Sequence, residues 1–323
     1  YRHAELDSAS IGYRHAELDS ASLVQERFRV RPGMTAAAGG RQKQINAILC
    51  REQEIVIMKK VSKIILSAGL CAGLFLLLTG FSTSSNKRRF IGSKNPNEPK
   101  EIGDVVFKDG SASPYTEKFS DAQKDAAEAV IFYTGDGVLG HKPLGVSVKH
   151  CSEMERFEWA PEGSTGCNTD FKGLQCTCSK QKPESGTYYE YVSHAEDATH
   201  FYYTGKLNGR KNWDYIKSHD PEAAARAAEK YPAFNYVNVE LGKDYWLPTV
   251  AELMEVCKNK TVVNNAMTAL GKVELGGWFW TSSQYPGHPA DAYYVEIMQE
   301  RSGYDSKGGT FTSHARICGI RAF

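Results

Sequence analysis

Apolar and polar positions follow one another along this chain so as to predict strands first, two helices next and a strand-rich ending. Over residues 102–108 Val105 and Phe107 alternate with polar neighbours, and Asp109-Gly110 then offers a turn. Residues 120–128 can cap and run as a short helix. The apolar run VIFYT at 130–134 predicts a buried strand before a glycine-rich turn at 135–140, and 144–148 predicts another. Residues 188–191 and 201–203 are aromatic and strand-like, which suits a sheet face. Asn208-Gly209 predicts a turn just before Trp213, and Asp220-Pro221 supplies an N-cap and an N1 proline for a helix through the alanines at 223–228. Residues 231–239 are expected to return to extended structure. Thr249 and Glu252 have capping-box spacing and open a helix whose buried stripe is Leu253, Val256 and Cys257, followed by a second short helix over 262–270. This order predicts an α+β domain over about residues 100–323 and argues against the βαβ alternation of a dinucleotide fold.

The ending, residues 278–323, has a different pattern. Trp278, Phe279 and Trp280 open it and Ile317, Cys318, Gly319 and Ile320 close it, with a mixed polar and aromatic run between. Tyr293, Val295 and Ile297 alternate onto one face, and Tyr294, Glu296 and Met298 onto the other. Residues 299–314 hold three glycines and no sustained apolar period, which predicts loop and short strand, where binding residues are usually held. The apolar ends are therefore read as frame and the middle as display. Trp278, Trp280, Val295, Ile297, Ile317, Cys318 and Ile320 belong to the frame. The expected ligand contacts are Pro286, Gly287, His288, Asp291, Tyr294, Glu296, Met298, Gln299, Arg301, Tyr304, Asp305, Thr310, Thr312 and His314.

Charge narrows the partners. Net charge is +1, so no overall field favours nucleic acid, which is excluded as a partner class. Residues 1–10 recur unchanged at 13–22, a duplication too short for a solenoid. Met58, Lys59, Lys60 and Lys63 precede an apolar run at 64–80 and then a serine- and threonine-rich stretch, the layout of a bacterial export signal. On that reading the native start is Met58, residues 1–57 are translated upstream sequence, 58–81 are the signal and 82–99 a polar tether. The run is marginal for the ~30 Å hydrocarbon core, so contact with a membrane is limited to an N-terminal anchor. Phe81 stands where a lipoprotein would carry cysteine, which leaves lipid anchoring open. Six cysteines follow, at 151, 167, 176, 178, 257 and 318. The first four lie near His150 in a spacing that matches no standard zinc module, so disulfides or buried thiols are favoured over zinc. Residues 151–190 are expected to be a covalently braced insertion.

Three stretches carry a resemblance: WLPTVAEL at 246–253, WFWTSSQY at 278–285 and RICGIRAF at 316–323. In this order they resemble the C-type-lectin-like domains of bacterial surface proteins and, more narrowly, the treponeme variable proteins targeted by diversity-generating retroelements. The resemblance covers roughly residues 100–323. It implies a formylglycine-generating-enzyme-type lectin fold with a variable region at about 278–323, whose surface codons are changed by adenine-directed mutagenesis while the scaffold stays fixed. The expected protein is exported to the bacterial cell envelope or surface. It binds a protein or host-cell ligand as a monomer, with no cofactor, no metal and no catalytic activity. Two alternatives share the fold. A calcium-dependent sugar lectin would need motifs that are absent, since Asn212-Trp213-Asp214 only scrambles one of them. An oxidase like the formylglycine-generating enzyme would need a cysteine pair where only Cys318 stands. Ser282, Ser283, His288 and Asp291 are close in sequence but lack a nucleophile elbow.

Overall fold

The Asp109-Gly110 turn joins β1 (Asp104–Phe107) to β2 (Ala112–Pro114), with Gly110 at φ +82°, a conformation that glycine adopts at little cost. α1 (Asp121–Ala126) carries the capping box of Ser120 and Gln123 and runs directly into β3 (Ala127–Tyr133). β4 (Leu144–Ser147) pairs with β3, and the last strand, β11 (Ile320–Ala322), returns to pair with β4. These five form one antiparallel sheet ordered β11-β4-β3-β1-β2. β5 (Cys176–Ser179), β6 (Tyr188–Ser193) and β7 (Thr199–Gly205) form a second sheet, ordered β5-β7-β6. β8 (Trp278–Gln284), β9 (Asp291–Glu296) and β10 (Arg301–Ser306) form the third, ordered β10-β9-β8. With the helices below, the architecture is α+β.

The structure, a computed structural model, describes residues 90–151, 155–195, 197–308 and 315–323, which fall in one compact unit, Arg88–Phe323. The readings of residues 1–89, including the duplication, the export signal and most of the tether, lie outside the described residues, as do Thr310, Thr312 and His314. The described end of the tether, 90–99, is instead part of the fold. Ile91 N donates to Asp109 Oδ2 at 2.9 Å, Gly92 N to Ser111 Oγ at 2.8 Å, and Lys94 forms a bridge with Ala112. Lys94 Nζ also reaches the buried Asp104 at 2.8 Å. A polar composition was compatible with docking because the acceptors and donors of the β1–β2 turn needed partners.

The helical middle departs most from expectation. α2 (Thr165–Asn168) is a single turn capped by Ser164. Residues 206–213 give the expected turn, but α3 (Asn212–His219) starts within it and buries Ile216. Asp220 caps as expected, yet the alanine run breaks into α4 (Pro221–Ala224) and α5 (Ala227–Lys230). Within 231–239, expected to be extended, residues 232–239 are helical after the Tyr231 cap. α6 (Pro232–Tyr236) begins on an N1 proline and continues as a π turn over Val237–Leu241. Phe234 and Val237, three residues apart, both point into the core, a helical spacing that short-range propensity hid. α7 (Val250–Lys258) and α8 (Lys260–Ala269) follow as expected. α7 is buried all round from Val250 to Cys257, not only along a stripe.

Two apolar cores lie on opposite faces of the third sheet. Phe279, Tyr293, Val295 and Ile297 join α7, α8 and the five-stranded sheet in one. Trp280, Ala292, Ala315 and Ile317 join Trp159, Phe171, Tyr231 and Phe234 in the other. The segment around Trp159 is not braced covalently, because all six described cysteines are free thiols. Aromatic packing holds it: Trp159 stands edge-on to Phe234 at 5.0 Å and donates its indole N–H to Thr281 O at 2.9 Å.

Candidate ligand-binding surface

The three motifs of the resemblance meet at one place. Trp246 and Ile320 exchange backbone hydrogen bonds at 2.9 and 3.1 Å. Arg316 N donates to Trp278 O at 2.7 Å, Trp280 N donates to Arg316 O at 3.0 Å, and Ser282 N donates to Pro248 O at 2.7 Å. Glu252 lies at the centre, fully buried, and accepts from Thr249 N at 2.8 Å, Gly209 N at 3.1 Å and the Trp246 indole N–H at 3.3 Å. Burial pushes its carboxyl up to about 7 against these donors. The capping box therefore does more than start α7: it also fixes the Asn208-Gly209 turn.

Behind the display, four consecutive polar residues of β8 are completely buried, and each ties a different segment. Thr281 Oγ1 donates to Tyr293 O at 2.8 Å, Ser282 Oγ accepts from Asn212 Nδ2 at 2.7 Å, and Ser283 Oγ accepts from Val250 N at 3.1 Å. Gln284 accepts from Phe171 N at 2.7 Å and donates to Thr169 O and Pro289 O, both at 3.2 Å. Both serines are thus structural acceptors closed to solvent, and the set Ser282, Ser283, His288 and Asp291 is no nucleophilic constellation.

Lys307 was not anticipated as a structural residue. It has no exposed surface, and its ammonium donates to Pro289 O at 2.6 Å, Gly166 O at 3.1 Å and Thr169 O at 3.2 Å. The faces of Trp159 and Phe171 lie 4.6 and 5.3 Å from the nitrogen. Burial pulls its pKa down to about 7, opposed by the negative groups around it. Arg316 is buried in a comparable way, donating to Gly276 O at 2.8 Å and to Cys151 O at 3.2 Å and stacking on Phe279. Both cations are among the charges that sequence alone reads as surface, since lysine and arginine rarely lose all solvent.

The display residues do not form one surface. Cross-strand partners share a face, and Tyr304 is opposite Tyr293 while Arg301, Gly303 and Asp305 are opposite Glu296, Tyr294 and Ala292. One face carries Tyr304, 49% exposed, stacked on Tyr285 at 3.8 Å. His288 stands edge-on to Tyr285 at 5.2 Å with its Nδ1 3.4 Å from Asp291. Pro286 and Gly287 are in the same β8–β9 loop. The other face carries Tyr294, half-buried against Trp278 at 5.8 Å and lying over Gly303, where a Cβ would collide with its ring. Arg301 reaches Glu296 through Nε at 2.8 Å and Nη2 at 2.7 Å, and Asp305 is half-buried. Met298, 62% exposed, and Gln299 occupy the β9–β10 turn at the far end of the hairpin from His288. A six-residue strand spans about 20 Å, so the two ends cannot contact the same small ligand.

Two assignments change. Glu296, expected on the display, is buried and neutralises Arg301. Trp278, expected in the frame, is only half-buried, while Trp280, Val295, Ile297, Ile317, Cys318 and Ile320 are buried as expected. Tyr285 was missed because it was read only as the end of the WFWTSSQY stretch, yet it is the ring on which Tyr304 stacks. Among the described residues no group of three or more His, Cys, Asp and Glu is arranged to hold a metal ion, and no helix is long and apolar enough to cross a membrane.

No family model matches the chain, and no curated protein matches it. Among solved structures, a fimbrial protein from Bacteroides ovatus ATCC 8483 is similar with a TM-score of 0.43 and 11% identity, over 68% of this chain. The chain spans about half of that protein's length, 48%.

Proposed function

We propose that this chain is an exported, non-enzymatic binding protein of the bacterial surface, built on a C-type-lectin-like scaffold and diversified at its C-terminal region, like the treponeme variable proteins it resembles. The observation that carries the reading is the stack of exposed His288 and Tyr304 on half-buried Tyr285, on a sheet held in place by the buried Thr281 to Gln284 and Lys307. Tyrosine offers large amphipathic contact area at low rotameric cost, and a rigid backing limits the ordering entropy of binding. The ligand class is a protein surface, contacted either on the aromatic stack or at the Met298–Gln299 turn.

The DNA downstream of the gene tests this. The reading expects a near-copy of the segment encoding residues 278–323 beside a reverse-transcriptase gene. The copies should differ at adenines in codons for exposed positions such as His288, Met298, Gln299 and Tyr304. Codons for Trp280, Val295, Lys307 and Ile317 should agree. Differences concentrated in those frame codons, or no near-copy at all, would overturn the variable-protein reading.

A further inference from the structure

Several sheet edges in this domain are met by a bridging residue, though the outer edge of β10, like that of β6, has none among the described residues. Lys94 pairs with Ala112 on β2, Trp246 with Ile320 on β11, and β8 is met by Arg316 at one end and by Gln175 at the other. β6 pairs with β7 on one side, and among the described residues its other edge meets no strand. An open edge presents a row of backbone donors and acceptors to any extended chain of suitable shape.

A groove of about 430 Å³ runs beside this edge. Tyr188, Tyr189 and Glu190 all line it, although successive side chains of a strand point to opposite faces. Three consecutive residues can border one groove only where the groove follows the strand's edge and meets its backbone. The opposite wall is Ile102 and the loop after β3, and the floor is Glu255 and Lys258, one turn apart on α7. The walls are pinned. Tyr133 Oη donates to Gly140 O at 2.8 Å and accepts from Gly137 N at 2.6 Å, and Tyr189 Oη donates to Glu255 at 2.7 Å. Ile102 and Val138, 39% and 44% exposed, present apolar surface from the wall, and Val192 continues it along β6. Among the carboxylates bordering the groove, Glu190 is held by His200 at 2.7 Å and Glu255 lies 3.6 Å from Lys258, the single ammonium, so that Asp136 is the lining carboxylate with no ion pair among the described residues.

We propose that this groove is a second docking site, separate from the C-terminal display, that takes an extended peptide segment of a partner protein as an added strand on β6. Main-chain hydrogen bonds to the open edge supply affinity. A branched apolar side chain set against Ile102 and Val138, with a lysine or arginine next to it, supplies selectivity. The pinned walls mean that little of the groove needs ordering on binding.

The test is to pan a phage-displayed random hexapeptide library against the full chain and to synthesise the enriched sequences. Enriched peptides should alternate branched apolar with basic residues and slow amide hydrogen exchange at 188–193. They should bind Val138→Asp or Ile102→Asp at least tenfold more weakly, and Tyr304→Ala unchanged. N-methylation of alternate peptide amides should abolish binding in one register and spare it in the other. Near-UV circular dichroism confirms that each variant is folded. Failure to enrich any sequence, protection of 285–306 instead of 188–193, or equal tolerance of both N-methylation registers would overturn the proposal. The first and third of those results leave the display reading untouched, because no display residue lines this groove, whereas protection of 285–306 would place the peptide on the display.

Discussion

Lys307→Met should remove a pH dependence that the wild-type domain carries between neutral and mildly alkaline conditions. The unfolded chain keeps the Lys307 proton up to the ordinary 10.5, whereas burial brings the folded value down to about 7. Between these values the unfolded state binds more protons, so the free energy of unfolding rises with pH, by at most about 1.4 kcal/mol per unit. Below about 7 both states are protonated and the cost of burying the charge is present in full. From pH 6 to pH 9 the gain comes to about 3 kcal/mol. Methionine has a similar length and no charge, so the variant should lose this rise. It also leaves Gly166 O without the Lys307 donor, at about 1–3 kcal/mol, while Thr169 O and Pro289 O keep the Gln284 amide, and is less stable at pH 9. Urea unfolding at pH 6, 7, 8 and 9, followed by tryptophan fluorescence, measures both effects, since Trp159 lies over the ammonium. Parallel pH profiles for wild type and variant would refute the assignment.

Glu252 should act with the opposite sign. Its folded value of about 7 lies above the ordinary 4.5, so the folded state holds the extra proton and stability falls as pH rises from about 4.5 to 7. Glu252→Gln should flatten that limb in the same titration, and Glu252→Ala should cost about 3 kcal/mol by leaving Thr249 N, Gly209 N and the Trp246 indole N–H unpaired. Trp280→Ala, at a fully buried site, should cost about 3–5 kcal/mol, and Tyr304→Ala less than about 1 kcal/mol, by thermal or urea unfolding. Equal losses would show that the stack around Tyr304 is core. Dithiothreitol should leave the melting temperature unchanged, because the six thiols are unpaired, and a drop of several degrees would reveal a bridge.

Local chemistry was legible where it is self-contained. The Asp109-Gly110 turn, the capped short helix after 120, the Thr249–Glu252 box, the Asp220 cap and the alternation of Tyr293, Val295 and Ile297 each depend on neighbours within a few residues. Residues 231–239 were misread because Phe234 and Val237 become helical in a core built with Tyr231 and Trp159, a contact no short window contains. Lys307, Arg316 and Glu296 were assigned by the usual habit of their residue types. Their burial is decided by carbonyls and partners over a hundred residues away, or across a hairpin. The display was legible as a region but not as a surface, because the pairing that divides Tyr304 from Tyr294 is set by the β9–β10 register.

The four buried polar residues of β8 make the C-terminal segment tolerant of one kind of genetic change and intolerant of another. Thr281, Ser282, Ser283 and Gln284 fix where the strand sits through hydrogen bonds to β9, α3, α7 and the Phe171 segment, whatever side chains β9 and β10 show to solvent. Exchanging letters at exposed positions therefore leaves this framework in place. Adding or removing a single residue between Gln284 and Lys307 would turn alternate side chains to the wrong face and draw the ammonium away from Pro289 O. Inheritance through this segment can change its spelling at exposed positions, but a change of length within its strands shifts the whole frame.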